Sequence, residues 1–380
     1  MHIFSVLFQT ASRMPISYKV ENLSGKILCW VKKPKYAMIR KQLIKANYID
    51  DNTGFKIIKK LDDNAVMIVF QDFKDIFEVD NIFSLKTLNL SGRNILPNLK
   101  LLSQLTNIND LHLNNNRLTD ISSEIGNLTG LNYLYLGNNQ LTIIQSEIGN
   151  LTNLNYLYLS NNHLTHISSK IGNLANLNHL YLGNNQLTII PSEIGNLIRL
   201  NRLDLNDNQL TTPRRADPFN PSGRSIPSEI GNLINLTRLN LNANRMTCIP
   251  SEIGNLISLT HLYLNSNQLT DISFEIGKLT SLTHLDLYNN QLTIIPSEIG
   301  NLISLTHLYL NSNQLTDISS EISKLSSLTH LDLNFNQLTD IPSEIAKLTC
   351  IHTLYLNYNK LTKNVKKRIK SWFIQEIVYC

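Results

Sequence analysis

Cysteine is scarce in this chain. Only four occur among 380 residues, Cys29, Cys248, Cys350 and Cys380. They form no C-x-x-C pair and no paired cluster, so the sequence shows no disulfide framework. Long apolar runs are missing too. No stretch of about 18 apolar residues exists, so no membrane span is expected. The apolar start, Ile3 to Phe8, is too short for a signal sequence and lacks a basic lead-in. The ending Val378-Tyr-Cys380 is no prenylation box, because its cysteine is terminal. Also absent are a phosphate-binding glycine loop, an H-E-x-x-H helix and a nucleophile elbow. No catalytic residue, cofactor or enzymatic activity is therefore assigned.

What is present is asparagine at one fixed place in a repeating frame. Asn116, Asn139, Asn162, Asn185, Asn208, Asn244, Asn267, Asn290, Asn313, Asn336 and Asn359 are spaced by 23 residues, with one gap of 36. Each closes the pattern L-x-x-L-x-L-x-x-N-x-L, as in Leu259, Leu262, Leu264, Asn267 and Leu269. A repeat of this length is one coil of a solenoid, not a domain. The L-x-L core alternates with period two and reads as a short strand with one buried face. Stacked coils join these strands into a parallel sheet that needs an apolar cover. The second half of each repeat, such as Pro250-Ser-Glu-Ile-Gly-Asn-Leu256, supplies it. There Ile253 and Leu256 are three apart, as a short helical or 3-10 segment would place two inward residues. An asparagine amide both donates and accepts. It can bond the main chain of its own turn and of the next coil, where an unpaired buried group costs about 1–3 kcal/mol.

These motifs, Ile-Pro-Ser-Glu-Ile-Gly-Asn-Leu joined to L-x-x-L-x-L-x-x-N-x-L-T, resemble leucine-rich repeats of the 23-residue intracellular Ras-group-related class. The resemblance covers twelve repeats from Leu85 to Leu361. It implies an α/β horseshoe, a leucine-rich-repeat solenoid whose concave parallel sheet binds protein. In the first repeat Arg93 holds the asparagine place and Ile95 the last leucine place, so that coil reads as a transition to a cap. Secreted members of the family carry disulfide caps. Their absence implies a reducing compartment, the cytoplasm. The abundance of Asn, Ile and Lys is similar to proteins of AT-rich genomes such as giant viruses, for which the compartment is the host cytoplasm.

Flanking zones differ from the repeats. Residues 1–80 carry 13 basic against 9 acidic residues, and 360–380 carry 6 against 1. The net charge of +5 thus sits at the ends, which does not make a nucleic-acid-binding stripe. Residues 1–80 read as a small α/β module, with strands at Lys26–Lys32, Phe55–Lys60 and Ala65–Gln71 and a helix from Pro34 to Asn47. Lys26-Ile-Leu-Cys-Trp-Val-Lys32, Arg40-Lys-Gln-Leu-Ile-Lys45 and Tyr48-Ile-Asp-Asp51 are similar to the small N-terminal domain of some tRNA guanine methyltransferases and wybutosine enzymes. No methyltransferase domain follows. An insertion within 212–225, Thr212-Pro-Arg-Arg-Ala-Asp-Pro-Phe-Asn-Pro-Ser-Gly-Arg-Ser225, reads as an exposed loop. Val365, Ile369, Trp372, Phe373 and Ile377 make one helical stripe expected to close the last coil. The division is thus 1–80, then repeats over 81–362, then a capping helix over 363–380.

Ten of the 14 tyrosines and seven of the ten histidines fall at outward sheet positions. Tyrosine joins large contact area to a polar tip, as binding surfaces do. Tyr133, Tyr135, Tyr156, Tyr158 and Tyr181 are expected to form the main partner-binding anchor. Arg202, Asp204, Asp207 and Arg238 form a charged belt beside the insertion. His261, Tyr263, His284, His307 and Tyr309 continue the surface. His261, His284, His307 and His330 stand one per strand. Ligands on such a flat strip do not converge on one ion, so no metal is expected. The reading is a non-catalytic, monomeric scaffold or adaptor for a protein partner. Two alternatives stay open: an RNA-associated protein using the basic N-terminal module, and an adaptor recruiting an enzyme through residues 1–80.

Overall fold

In a computed structural model, residues 86–92, 106–211, 225–373 and 378–380 are described with their side chains, and four strands between residues 20 and 70 by their backbone. The chain forms two compact units, Met1–Asn162 and His163–Cys380.

The first unit opens with an antiparallel sheet. Its strands are β1 (Val20–Glu21), β2 (Ile27–Lys32), β3 (Lys56–Asp62) and β4 (Ala65–Phe70), in the order β1-β2-β4-β3. These include the three strands expected from sequence. Asp62 pairs with Ala65. The helix expected over 34–47 and the Arg93 turn lie outside the described residues. Repeat strands follow: β5 (Thr87–Asn89), β6 (Asp110–His112), β7 (Tyr133–Tyr135) and β8 (Tyr156–Tyr158), parallel and in register.

The second unit repeats the device with β9 (His179–Tyr181), β10 (Arg202–Asp204), β11 (Arg238–Asn240), β12 (His261–Tyr263), β13 (His284–Asp286), β14 (His307–Tyr309), β15 (His330–Asp332) and β16 (Thr353–Tyr355). Each pairs parallel with the next. The insertion does not disturb the stacking. Arg202 pairs with Arg238 directly, Thr211 bridges Arg245, and the chain is back in place at Ser225, whose carbonyl accepts from Ile190 N. Residues 212–224 lie outside the described residues.

Each of the strands β5 to β16 has three residues, and its middle leucine is buried, as at Leu262 and Leu285. The return half of each coil is a 3-10 turn, for example Ser251–Asn255, with Ile253 and Leu256 buried. A single coil cannot enclose its apolar side chains alone, so burial comes from the neighbouring coils.

The asparagine column has the expected role, with one change of direction. Asn267 Nδ2 donates to Leu264 O of its own coil at 3.0 Å and to Leu241 O of the preceding coil at 3.0 Å. Its Oδ1 accepts from Met246 N, again in the preceding coil, at 3.2 Å. Each amide therefore reaches back, not forward. Asn116, Asn139, Asn208, Asn244, Asn290, Asn313, Asn336 and Asn359 bond the same two kinds of carbonyl. Asn162 likewise bonds Leu136 O and Leu159 O, and Asn185 bonds Leu182 O. The residue before each asparagine is left-handed, with φ of 53° to 60° where it is Asn, Phe or Tyr. Asparagine tolerates that region. Phe335 and Tyr358 occupy it in the last two coils and stack at 4.2 Å.

The glycine of Ser-Glu-Ile-Gly-Asn has a packing reason that composition did not reveal. A Cβ on Gly254 would lie 2.5 Å from Glu275 O in the following coil. The glycine is what lets adjacent 3-10 turns approach.

The C-terminal segment corrects the expected helix. Helix α1 runs only from Lys363 to Ser371, capped by the Thr362 hydroxyl, which accepts from Val365 N. Ile369 is fully buried. Beyond the helix a last strand, β17 (Val378–Tyr379), joins the sheet parallel to β16. The chain end thus adds a strand as well as a helix. Of the stripe, Val365 and Ile369 lie in the helix, and Trp372 and Phe373 lie past its end; Ile377 lies outside the described residues.

Two measurements test these packing arguments. Asn267→Ala should cost about 1–3 kcal/mol in urea unfolding, because buried main-chain groups lose their partners. Gln268→Ala, at an exposed neighbour, should cost under about 0.5 kcal/mol. Equal midpoints would refute the role of the amide. Gly254→Ala should destabilise by about 1–3 kcal/mol through overpacking. A compatible Gly→Ala change would instead stabilise by about 0.4–1 kcal/mol, so the sign alone decides.

Candidate functional site

Strand alternation turns the first and third residue of each strand to the open face of the sheet. Two columns result. In the first unit they carry an aromatic patch. His112 stacks on Tyr135 at 4.3 Å, Tyr135 meets Tyr156 at 5.1 Å, and Tyr133 meets Tyr156 at 6.3 Å. Tyr133 is 40% exposed, whereas Tyr135, Tyr156 and Tyr158 are half-buried. The Tyr158 ring occupies the space above Gly137, where a Cβ would collide with it. Tyr158 therefore packs against the neighbouring coil besides standing on the open face.

In the second unit the columns begin with Tyr181 and the charged belt. The Arg202 guanidinium lies 5.0 Å from the centre of the Tyr181 ring and 4.0 Å from the Asp204 carboxylate. Burial raises the Asp204 pKa, against the lowering effects of the Asn206 N–H, Arg202 and the Asn240 side chain. The 4.0 Å ion pair is too long to reverse that order. Asp207 stands at the left-handed turn, off the columns.

From β12 to β15 the first column becomes a stack of imidazoles. Ring centres are 4.4 Å apart for His261–His284, 4.3 Å for His284–His307 and 4.4 Å for His307–His330, all within 9° of parallel. Threonines fix their tautomer. The Thr260 hydroxyl donates to Thr237 O at 2.9 Å and lies 2.9 Å from His261 Nδ1. Thr283, Thr306 and Thr329 repeat this with His284, His307 and His330. A hydroxyl has one hydrogen. It is spent on the carbonyl, so Nδ1 of each histidine must donate to it. Each neutral ring then keeps its lone pair on Nε2. His261 confirms the tautomer independently, because Arg238 Nη2, a donor only, lies 3.2 Å from its Nε2.

Electrostatics agree with neutral rings. Burial, then Arg238, then His284, bring the His261 pKa down to about 4. His284 is lowered by burial and Arg238, and His307 by burial and its histidine neighbours. Parallel stacking directs the Nε2 lone pairs side by side, not toward one point. Among the described residues no three His, Cys, Asp or Glu side chains come together to hold a metal ion.

The second column alternates aromatic and acidic residues. Tyr263, Asp286, Tyr309, Asp332 and Tyr355 pair in register. Burial pushes Asp286 up to about 6, against the Tyr288 N–H that bonds its carboxylate. Burial raises Asp332 in the same way. Neither aspartate was singled out from the sequence. The signal was available, since each lies 23 residues from a tyrosine that was. Asn265, two residues beyond Tyr263, is only 8% exposed. Cys248, Cys350 and Cys380 are free thiols. No helix among the described residues is long and apolar enough to cross a membrane.

Comparison with known proteins places this geometry in context. A family model described as "Leucine rich repeat" matches residues 106–164, 152–210, 257–315 and 303–361, and one for two copies of the repeat matches 234–276. A repeat protein of Leptospira interrogans is similar at 32% identity, with 82% of this chain and 87% of that one covered and a TM-score of 0.56. An internalin of Listeria monocytogenes is similar at 29% identity over 75% of this chain and 84% of its own, with a TM-score of 0.56. A TDR receptor shares 26% identity over 75% of this chain and 53% of its own, with a TM-score of 0.60. No curated protein matches the chain.

The two columns should titrate with opposite signs. The folded pKa of His261, about 4, is below its ordinary value of 6.5. Its stabilising contribution is full above 6.5 and lost as pH falls through about 4. The folded pKa of Asp286, about 6, is above its ordinary 3.8. Its contribution is full below 3.8 and lost as pH rises through about 6. Asp286→Asn should therefore raise the melting temperature at pH 8 and leave it unchanged at pH 3.5. An equal effect at both pH values would refute the assignment. Nitrogen chemical shifts at pH 7 should show His284 and His307 neutral and protonated on Nδ1; protonation on Nε2 would overturn the threonine argument.

Proposed function

We propose, from the premise that this chain belongs to the leucine-rich repeat family, that it is a non-catalytic scaffold binding a protein partner on the open face of its strands. The observation that carries this reading is the aromatic patch of the first unit. His112, Tyr135, Tyr156 and Tyr133 contact one another over three adjacent strands and leave Tyr133 exposed. Interfaces concentrate their energy in such rings. The leucines that hold them are buried, so the rings are presented by a fixed backbone, which lowers the ordering cost of binding. Tyr181, Arg202, Asp204 and Arg238 form a second, charged texture for the partner. His261, Tyr263, His284, His307 and Tyr309 form a third.

The finer assignments belong to the same proposal. We place the chain in the 23-residue intracellular class; its free thiols at Cys248, Cys350 and Cys380 suit a reducing compartment. We divide it into an N-terminal module over 1–80, repeats over 81–362 and a C-terminal cap over 363–380. The buried Ile369 and the added strand Val378–Tyr379 support that cap.

Tyr133→Ala combined with Tyr156→Ala tests the reading. The full-length double variant should keep its melting temperature within a few degrees. Its affinity for a protein captured by the parent chain should fall at least about 30-fold, the equivalent of about 2 kcal/mol. If that variant and a His261, His284 and His307 triple alanine variant both bind as the parent does, the strand face is not the binding surface.

A further inference from the structure

Resting on that reading, we propose that the open face of β12 to β16 takes an extended basic segment of the partner, with Lys or Arg side chains three residues apart seated on Asp286 and Asp332. Four observations on the second unit converge on this chemistry. These five strands read His-Leu-Tyr, His-Leu-Asp, His-Leu-Tyr, His-Leu-Asp and Thr-Leu-Tyr. They carry no Lys or Arg, so the only formal charges on them are the two carboxylates.

Those carboxylates lack a cation. Asp286 Oδ1 accepts from Tyr288 N at 3.2 Å and Asp332 Oδ1 from Asn334 N at 2.9 Å. Among the described residues neither takes part in an ion pair, whereas Asp204 has Arg202 and Asp340 has Arg368. One oxygen of each is left for a ligand.

The neighbouring column adds acceptors. With Nδ1–H committed to threonine, His284 and His307 offer Nε2 lone pairs, that of His261 being taken by Arg238 Nη2. Asn265, two residues beyond Tyr263 and on the same side of the backbone, has a buried Oδ1 with no hydrogen-bond donor, and its side chain is more than nine-tenths buried. A surface built of carboxylates, lone pairs and tyrosine π-faces is complementary to ammonium or guanidinium groups. They form charge-assisted bonds to carboxylates and sit over aromatic rings.

Spacing selects the conformation of the segment. Asp286 and Asp332 are two strands apart, about 9.6 Å at the usual strand separation. A polyproline II segment crossing the strands returns a side chain to the same side every three residues, about 9.3 Å. A β-strand returns one every two residues, about 6.7 Å, and misses that interval. Each basic side chain would then lie between two tyrosines, Tyr263 and Tyr309 on one side or Tyr309 and Tyr355 on the other.

The probe is a fluorescein-labelled nonapeptide of three Pro-Pro-Arg units, titrated into the full-length chain by anisotropy. Controls are three Pro-Pro-Glu units and a peptide with arginine at every second position. The parent should bind the first peptide at least about tenfold more tightly than either control. Asp286→Asn with Asp332→Asn, isosteric at both sites, should lose at least about tenfold while retaining its fold by circular dichroism. Equal binding of the acidic peptide, or unchanged binding by the double variant, would overturn the proposal. Loss of partner capture on changing Tyr133 and Tyr156 but not on changing the two aspartates would sink this inference and leave the protein-binding reading intact.

Discussion

One side chain sets the geometry on which the rest depends. The repeat asparagine places its amide between its own turn and the coil behind it, donating to a carbonyl in each and accepting an N–H from the second, as Asn290 does with Leu287, Leu264 and Leu269. Both ends of the dipole are used, so the spacing between coils is fixed by short bonds in a buried place. A leucine core alone would permit sliding, because apolar burial is non-directional. The amide supplies the direction. Strand pairing in register, imidazole stacking at a constant 4.3–4.4 Å and the threonine relay all inherit it. At the last coil the column ends with Asn359, which is only half-buried. There the sheet is closed by α1 and β17 instead.

The solenoid was legible because its signals are chemical identities that recur at a fixed interval. Period-two leucines gave the strands, and Ile253 with Leu256 gave the 3-10 turn. What stayed hidden depends on a second coil. The glycine of the turn answers to a carbonyl 21 residues on, as Gly254 does to Glu275. Asn265 shows the point most sharply. Residues 254–273 and 300–319 are identical in sequence, yet Asn265 is buried and its copy Asn311 only half-buried. The next coil carries Tyr288 beside one and Asn334 beside the other. Exposure in a solenoid is a property of neighbouring repeats, so reading one frame alone assigns it wrongly.

The candidate site was half legible in the same sense. Tyrosines and histidines stood out by position. The protonation of the histidines did not, because it needs the hydroxyl of the preceding residue to be engaged by a carbonyl one coil back. That engagement fixes the tautomer, and burial, with the neighbouring charges, lowers the pKa of His261, His284 and His307, so that these rings act as neutral acceptors. The sign of the surface is thereby reversed from what a count of histidines suggests, and the aspartates beside it become its dominant charge.

Duplication explains why the pattern exists, and it also gives the surface a ruler. The copied unit is 46 residues, two coils. Copying two coils together converts a Tyr–Asp pair on adjacent strands into an alternation along the sheet. The interval between like residues is then two strand spacings, about 9.6 Å, not one. A single-coil duplication would have placed carboxylates on adjacent strands at about 4.8 Å. There their mutual repulsion would raise each other's pKa further and disfavour ionisation. Separation by a tyrosine strand keeps each carboxylate available on its own, flanked by rings on both sides. The length of the duplicated unit therefore decides whether the face carries a crowded acid strip or a set of spaced cation seats.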